Sequence, residues 1–282
     1  MITESAGKRL MRRAVSATAR HRASCVFVLS TGRVGTVTLT HLLELSPVVD
    51  AAHEPSPQFL EETHRAYQDA PLAAARAAAT VRAYAASRAR SLWRATRGGR
   101  LYAESSNRLT FLAPSLSEYL PRSRFIHLHR DPATFVRSGI RRGWYRDHPW
   151  DTYRITPRPD DRHAGEWDAW GPFERCCWLW GAVNGFCLDV MERLPAGRGF
   201  GIRMEDLFAR DGAAAARLFA WLAIPAGAPE DVGRVITTRY NEQRENDFPQ
   251  WSEWTAAQRA TLARIAGPVA VRMGYHEYAE QS

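Results

Sequence analysis

Short apolar runs, several of them rich in β-branched residues, alternate along this chain with longer stretches of helical composition. That alternation constrains the fold more than any other feature. A parallel strand pair needs a long crossover, usually a helix, and the helices then cover both faces of the sheet. The expected fold class is therefore α/β, with a central, mostly parallel sheet of about five strands flanked by helices. The strand candidates are residues 25–30 (CVFVLS), 48–52 (VVDAA), 101–105 (LYAES), 125–129 (FIHLH) and 199–204 (GFGIRM). Continuous runs of this kind suit strands buried on both faces. A helix should follow the first strand, with Val37, Leu39, Leu42 and Leu43 inward. Another should span 172–194, where Trp178, Trp180 and Val183 mark an apolar surface. The Ala-rich stretch 71–97 should also be helical. Its arginines (Arg76, Arg82, Arg88, Arg90, Arg94, Arg97) read as a solvated face.

The 282 residues fit one large α/β domain or two small ones. No linker or internal repeat divides them, so one domain over 24–282 is expected, preceded by a basic arm over 1–23. With 45% hydrophobic and 24% charged residues the chain is not disordered overall. No run approaches the roughly 18 apolar residues of a membrane span, so no integral membrane segment is expected. The arm is basic but lacks the apolar core of a secretory signal. Cys25, Cys176, Cys177 and Cys187 have no metal-finger or CxxC spacing. Reduced thiols and a cytoplasmic location are the expectation. The formal charge is +8, and of 38 Lys and Arg residues only Lys8 is lysine. Codon bias accounts for part of this. The rest invites an anionic partner, since guanidinium groups match phosphate and sulfate oxygens.

Two elements give that anion a place. After the first strand comes TGRVGT, residues 31–36, and then a helix. Gly32 and Gly35 let the turn fold tightly, so that backbone N–H groups and the helix N-terminus converge on one site. Such a site attracts phosphate, with Arg33 adding charge and Thr31 and Thr36 adding hydroxyls. It is not a Walker A loop, which requires a Lys–Ser/Thr pair. The second element is FIHLHRDPATFVRSG, in which a strand runs into Arg130 and a helix carries Ser138 eight residues later. Pro132 suits the first helical turn, and Arg130 at a strand's carboxyl end would face the ligand crevice of an α/β sheet. The alternative is that Arg130 pairs with a carboxylate and Ser138 faces its own helix. His129–Arg130–Asp131 also looks like a kinase catalytic loop. The asparagine expected five residues beyond the Asp is Val136 here, and no DFG accompanies it.

STGRVGT after the first strand, with RDP and its serine at eight residues' spacing, resembles the sulfotransferases that use 3′-phosphoadenosine-5′-phosphosulfate (PAPS). The resemblance extends over about residues 25–278. It includes Trp180 and Asn184, the run GIRMEDL, the run WLAIP, and the late MGY at 273–275. It implies a P-loop-like, nucleotide-kinase-like sheet and a donor, PAPS, with no metal and with the desulfonated nucleotide PAP as product. Thr31, Gly32, Arg33, Val34, Gly35 and Thr36 would hold the 5′-phosphosulfate, and Arg130 with Ser138 the 3′-phosphate. Family members often carry lysine at the position of Arg33. Arginine keeps its charge at any working pH, so Arg33 would act as an electrostatic clamp. The glycine-rich C-terminal 3′-phosphate segment of cytosolic members is not evident. Arg239 or Arg244 would have to substitute for it.

Transfer also needs a base for the acceptor hydroxyl. His53–Glu54–Pro55 follows the second strand, and members of the family use His or Glu in this region. Glu54 is slightly favoured over His53. A helix N-terminal carboxylate and a packed neutral imidazole are their structural alternatives. Glu104–Ser105–Ser106–Asn107 either faces the sulfuryl group or acceptor, or caps a helix over 108–116. His127 and His129 lack a partner at metal-site spacing and read as core residues. Residues 143–172 form an aromatic-rich insertion holding Trp144, Tyr145, Trp150, Tyr153, Trp167 and Trp170. It is either an acceptor lid or a segment stapled to the domain by its rings. Arg141, Arg142 and Arg154 would suit an acidic acceptor. The expected function is transfer of a sulfuryl group to a hydroxyl of a carbohydrate, lipid or small metabolite. A P-loop-type phosphotransferase or hydrolase is the alternative. A nucleic-acid-binding module rests on charge alone, and no nucleic-acid partner is expected.

Overall fold

The computed structural model describes residues 19–69, 73–238, 240 and 248–280. Five strands form one parallel sheet: β1 (Cys25–Leu29), β2 (Val49–His53), β3 (Leu101–Ser105), β4 (Ser123–His129) and β5 (Gly199–Arg203). Their order is β2-β3-β1-β4-β5, and every neighbouring pair is parallel. The helices in chain order are α1 (Thr36–Glu44), α2 (Leu60–Gln68), α3 (Ala73–Ser87), α4 (Ala89–Arg94), α5 (Ala113–Tyr119), α6 (Pro132–Ile140), α7 (Pro172–Arg193), α8 (Met204–Leu207), α9 (Ala213–Leu222), α10 (Pro229–Thr237) and α11 (Ala256–Arg272).

The central strand shows why the apolar runs are continuous. Alternate side chains of a strand point to opposite faces. Cys25, Phe27 and Leu29 enter one core, with Trp180 and Cys187 of α7 and Leu262 of α11. Val26 and Val28 enter the other, with Leu39 and Leu42 of α1 and Leu218 of α9. All five β1 side chains are buried. Because β1 lies between β3 and β4, the chain leaves it toward one edge and later returns to build the other. The crevice at the carboxyl end of β1 is thus a topological switch point, where open α/β sheets bind ligands. The four cysteines are buried and free. None of the described helices is long and apolar enough to cross a membrane. Of the basic arm, the described residues 19–23 lie against the domain, with Ala19 and Ala23 buried.

Several local expectations need correction. The Ala-rich segment is two helices rather than one, broken at Arg88, whose ψ of 10° departs from helical values. Arg88 is not on a solvated face: it is 6% exposed and forms an ion pair with buried Glu104, Nε to Oε2 at 3.0 Å. Glu104 accordingly points away from the candidate site. It also accepts hydrogen bonds from Tyr84 (2.7 Å) and Tyr102 (2.5 Å). The helix expected over 108–116 is a 3-10 turn, Asn107–Leu112, followed by α5, and Ser106 makes no side-chain cap bond to it.

Candidate active site

The candidate site is assembled from the carboxyl ends of β1, β2, β3 and β4. The loop after β1 is shaped by left-handed backbone at Gly32 (φ 75°), Arg33 (φ 59°) and Gly35 (φ 85°). Gly35 is required twice over. Its φ disfavours a side chain, and a Cβ there would stand 2.7 Å from the Phe208 ring. The loop is braced from within and behind. Gly32 N–H donates to Ser30 Oγ (3.1 Å), Ser30 N–H donates to Thr110 Oγ1 (3.2 Å), and Ser105 Oγ donates to the Thr36 carbonyl (3.2 Å).

Arg130, at the end of β4, donates from Nη1 to the Arg33 carbonyl (2.9 Å) and from Nε to Thr134 Oγ1 (2.8 Å). No carboxylate of the described residues lies within ion-pair distance of it. Among the described residues, then, Arg130 forms no salt bridge of the kind the alternative requires. Its backbone is held by the downstream motifs. Trp180 Nε1 donates to the Arg130 carbonyl (2.8 Å), and Asp131 N–H donates to Glu205 Oε1 (3.0 Å). The Asp131 carboxylate caps α6 through Thr134 N–H (2.7 Å) and accepts a hydrogen bond from Tyr278. Tyr275 hydrogen-bonds His129 Nδ1 (3.0 Å), and His127 Nε2 bonds Asn184 Oδ1 (2.9 Å). Both histidines are structural parts of this buried network.

That network has a pH signature. Burial pushes His127 from the ordinary 6.5 down to about 4, and burial with the nearby His127 and Arg203 pushes His129 to about 3. Between pH 6.5 and about 4 the unfolded chain takes up protons that the folded chain refuses. Stability should therefore fall as pH drops through this window, by up to roughly 1.4 kcal/mol per pH unit for each histidine. Urea midpoints at pH 6.5 and about 5 test this; equal midpoints would contradict it.

Two cavities meet at the loop. One, of about 470 Å³, is lined by Arg130, Thr134, Arg137, Ser138 and Arg141, with Tyr240 at its side. The other, of about 330 Å³, is lined by His53, Glu54, Asn107, Arg108 and Arg142, and by Trp144, Trp150 and Tyr153. Arg33, Thr36 and Val37 line both. Thus Thr31, Gly32, Arg33, Gly35, Thr36, Arg130, Ser138, His53 and Glu54 are brought to one place. Val34 points into the core instead, fully buried, so only its backbone is available there. Arg239 and Arg244 lie outside the described residues.

Charge is concentrated between the cavities. Burial, followed by repulsion from Arg142 and Arg130, lowers the Arg33 pKa to about 10, while Glu54 opposes the shift. Arg33 stays protonated at neutral pH but in a field that favours a bound anion. Burial likewise lowers Arg130. Glu54 sits just past β2 with φ 42°, a left-handed conformation costly for a non-glycine residue and often met at functional sites. Its carboxylate accepts from Arg108 Nη2 at 3.2 Å. His53 Nδ1 is enclosed without a hydrogen-bond partner.

Sequence reasoning missed Thr134, Arg137 and Arg108. The first two were legible as i+4 and i+7 from Arg130 on the helix that carries Ser138. Arg108 carried no such signal. The rings of the 143–172 segment divide. Trp144 and Trp170 are buried and Trp167 packs on the core, whereas Trp150 and Tyr153 remain exposed at the rim of the smaller cavity.

A family model described as "Sulfotransferase family" matches residues 25–228. A sequence search of curated proteins finds no match. Among solved structures, this chain is similar to a sulfotransferase from Alicyclobacillus acidocaldarius, at 13% identity and a TM-score of 0.54, over 92% of this chain and 97% of that one. It is also similar to the sulfotransferase domain of the Synechococcus PCC 7002 olefin synthase, at 15% identity and a TM-score of 0.51, over 89% and 96%. The sulfotransferase domain from the curacin biosynthetic pathway matches at 16% identity and a TM-score of 0.50, over 74% and 77%. At these identities the structural likeness speaks for the fold. The match to the family model spans most of the chain, from the first residue of β1 to the start of α10. The chain belongs to the sulfotransferase family and is an enzyme of sulfuryl transfer.

Proposed function

We propose that this sulfotransferase takes its sulfuryl group from PAPS and delivers it to a hydroxyl of a carbohydrate, lipid or small metabolite. The observation that carries the reading is the pair of cavities joined at Arg33 and Thr36. A donor with phosphates at its 3′ and 5′ positions needs two anion sites one ribose apart. The Thr31–Thr36 loop and Arg130 with Ser138 are two such sites at neighbouring strand ends. The partly buried guanidinium of Arg130, with no described carboxylate within ion-pair distance, fits a phosphate.

PAPS, when bound, supplies a sulfur whose bond to the 5′-phosphate oxygen breaks as the acceptor oxygen bonds to it. Arg33 and the loop amides stabilise the charge that gathers on the departing oxygen. Glu54 removes the acceptor hydroxyl proton. It is preferred to His53 because Arg108 already orients its carboxylate. An imidazole base would need its second nitrogen held by an acceptor, and Nδ1 of His53 has none among the described residues. The remaining help is positioning, as in phosphoryl transfer.

Arg130→Ala should weaken PAP binding roughly 10- to 100-fold, the value of a lost charge-assisted contact. Calorimetry measures this. Adenosine 5′-phosphosulfate, which lacks the 3′-phosphate, should bind wild type and variant alike. Unchanged PAP affinity in the variant would remove Arg130 from the site.

A further inference from the structure

The smaller cavity is far more cationic than sulfuryl transfer to a neutral alcohol requires. Among the described residues four guanidinium groups line it (Arg33, Arg108, Arg142 and Arg154), against one carboxylate, Glu54. Most of these cations are accounted for. Arg108 is bonded to Glu54 (3.2 Å) and to Gln58 Oε1 (2.9 Å). Arg154 donates to Asp151 Oδ1 (2.8 Å) and lies over the Trp144 ring at 4.2 Å. Arg33 belongs to the loop that both cavities share.

Arg142 is the exception. It is half-buried, no described carboxylate lies within ion-pair distance, and its Nε is enclosed without a hydrogen-bond partner. It stands close enough to Arg33 to depress that residue's pKa. A partly desolvated guanidinium beside a second one is costly unless an anion completes the site. The larger cavity does not include Arg142, so it is not placed to serve the nucleotide's 3′ side. Apolar groups continue the wall beside it, among them Phe111, Ile155 and Trp150.

Building on the reading of this cavity as the acceptor site, we infer that Arg142 is a specificity-determining residue and that the acceptor is an acidic hydroxyl compound. Its carboxylate, or an equivalent anionic group, pairs with Arg142 in fork geometry while its body lies on the apolar wall. The pairing sets the distance between the acid group and the reacting hydroxyl, so neutral alcohols are handled poorly.

The test uses the full chain saturated with PAP, with quenching of tryptophan fluorescence as the signal, since Trp144 and Trp150 line the cavity. The probes are 4-hydroxybenzoate and its uncharged counterpart 4-hydroxybenzamide. The acid should bind wild type about 10-fold more tightly than the amide, the usual worth of a charge-assisted pair. Arg142→Met should bring the two to equal affinity, and Arg142→Lys should keep part of the preference. PAP affinity, measured on each variant, should stay within about twofold and reports folding. Equal binding of the two probes by wild type would overturn the inference, as would a preference that survives Arg142→Met or no saturable response to either probe. Failure of wild type to bind PAP would instead overturn the donor reading on which the inference rests.

Discussion

Glu54→Gln should lower the rate of sulfuryl transfer by about 10²- to 10⁴-fold, the range expected when a positioned general base is removed. The amide is nearly isosteric and still accepts a hydrogen bond from Arg108, so the bracing between Glu54, Arg108 and Gln58 should survive. PAP affinity should change by no more than about twofold, because the proposed base acts on the acceptor side. The assay follows radiolabelled sulfate from PAPS into a hydroxyl-bearing metabolite extract. The residual rate of the variant should climb with pH, as the ionised acceptor comes to replace the missing base. His53→Asn should cost much less. If the two substitutions exchanged their effects, His53 would be the base and the Arg108 argument would fail.

Arg88→Ala should destabilise the fold by about 3–5 kcal/mol, the cost of leaving a buried carboxylate without its counter-ion. Arg88 and Glu104 are only 6% and 2% exposed in their side chains, so solvent gives little relief. The loss reaches the site as well. Arg88 donates to the backbone carbonyls of Pro55 (2.7 Å), Ser56 (2.9 Å) and Pro57 (2.9 Å), the segment that follows Glu54. One guanidinium thus neutralises Glu104 and holds the chain that leaves the candidate base. Urea denaturation should show the full loss in Arg88→Ala. The Arg88→Met, Glu104→Gln pair should regain part of it, because no charge is then left buried. A double variant as unstable as the sum of its single variants would show that the two residues are not coupled.

The sheet was legible because its strands are covered on both faces, which writes them as continuous apolar runs; all five fall within a few residues of the expected positions. Two elements of the candidate site were legible for a related reason. A glycine turn between strand and helix, and an arginine followed by a proline at a strand's end, need particular residues at particular spacings. Side-chain pairing across long sequence separations was not legible. Arg88 looked like its neighbours in an Ala-rich helix, and nothing local marks it as the partner of Glu104. The bracing of the Arg130 segment was equally hidden. Tyr278 reaches Asp131 and Tyr275 reaches His129 only because α11 returns the chain to α7 and the end of β4. A helical run of arginine and alanine does not say which guanidinium turns inward. Only the packed fold does.

The central claim is that one nucleotide is held at two places, by the loop after β1 and by Arg130 at the end of β4. A crystal structure of the chain with PAP tests it most directly. The 5′-phosphate should sit on the backbone amides of the Thr31–Thr36 loop beside Arg33, with the 3′-phosphate at hydrogen-bond distance from the Arg130 guanidinium and the Ser138 hydroxyl. Density for PAP elsewhere on the protein, or in the reverse orientation across these two sites, would contradict it.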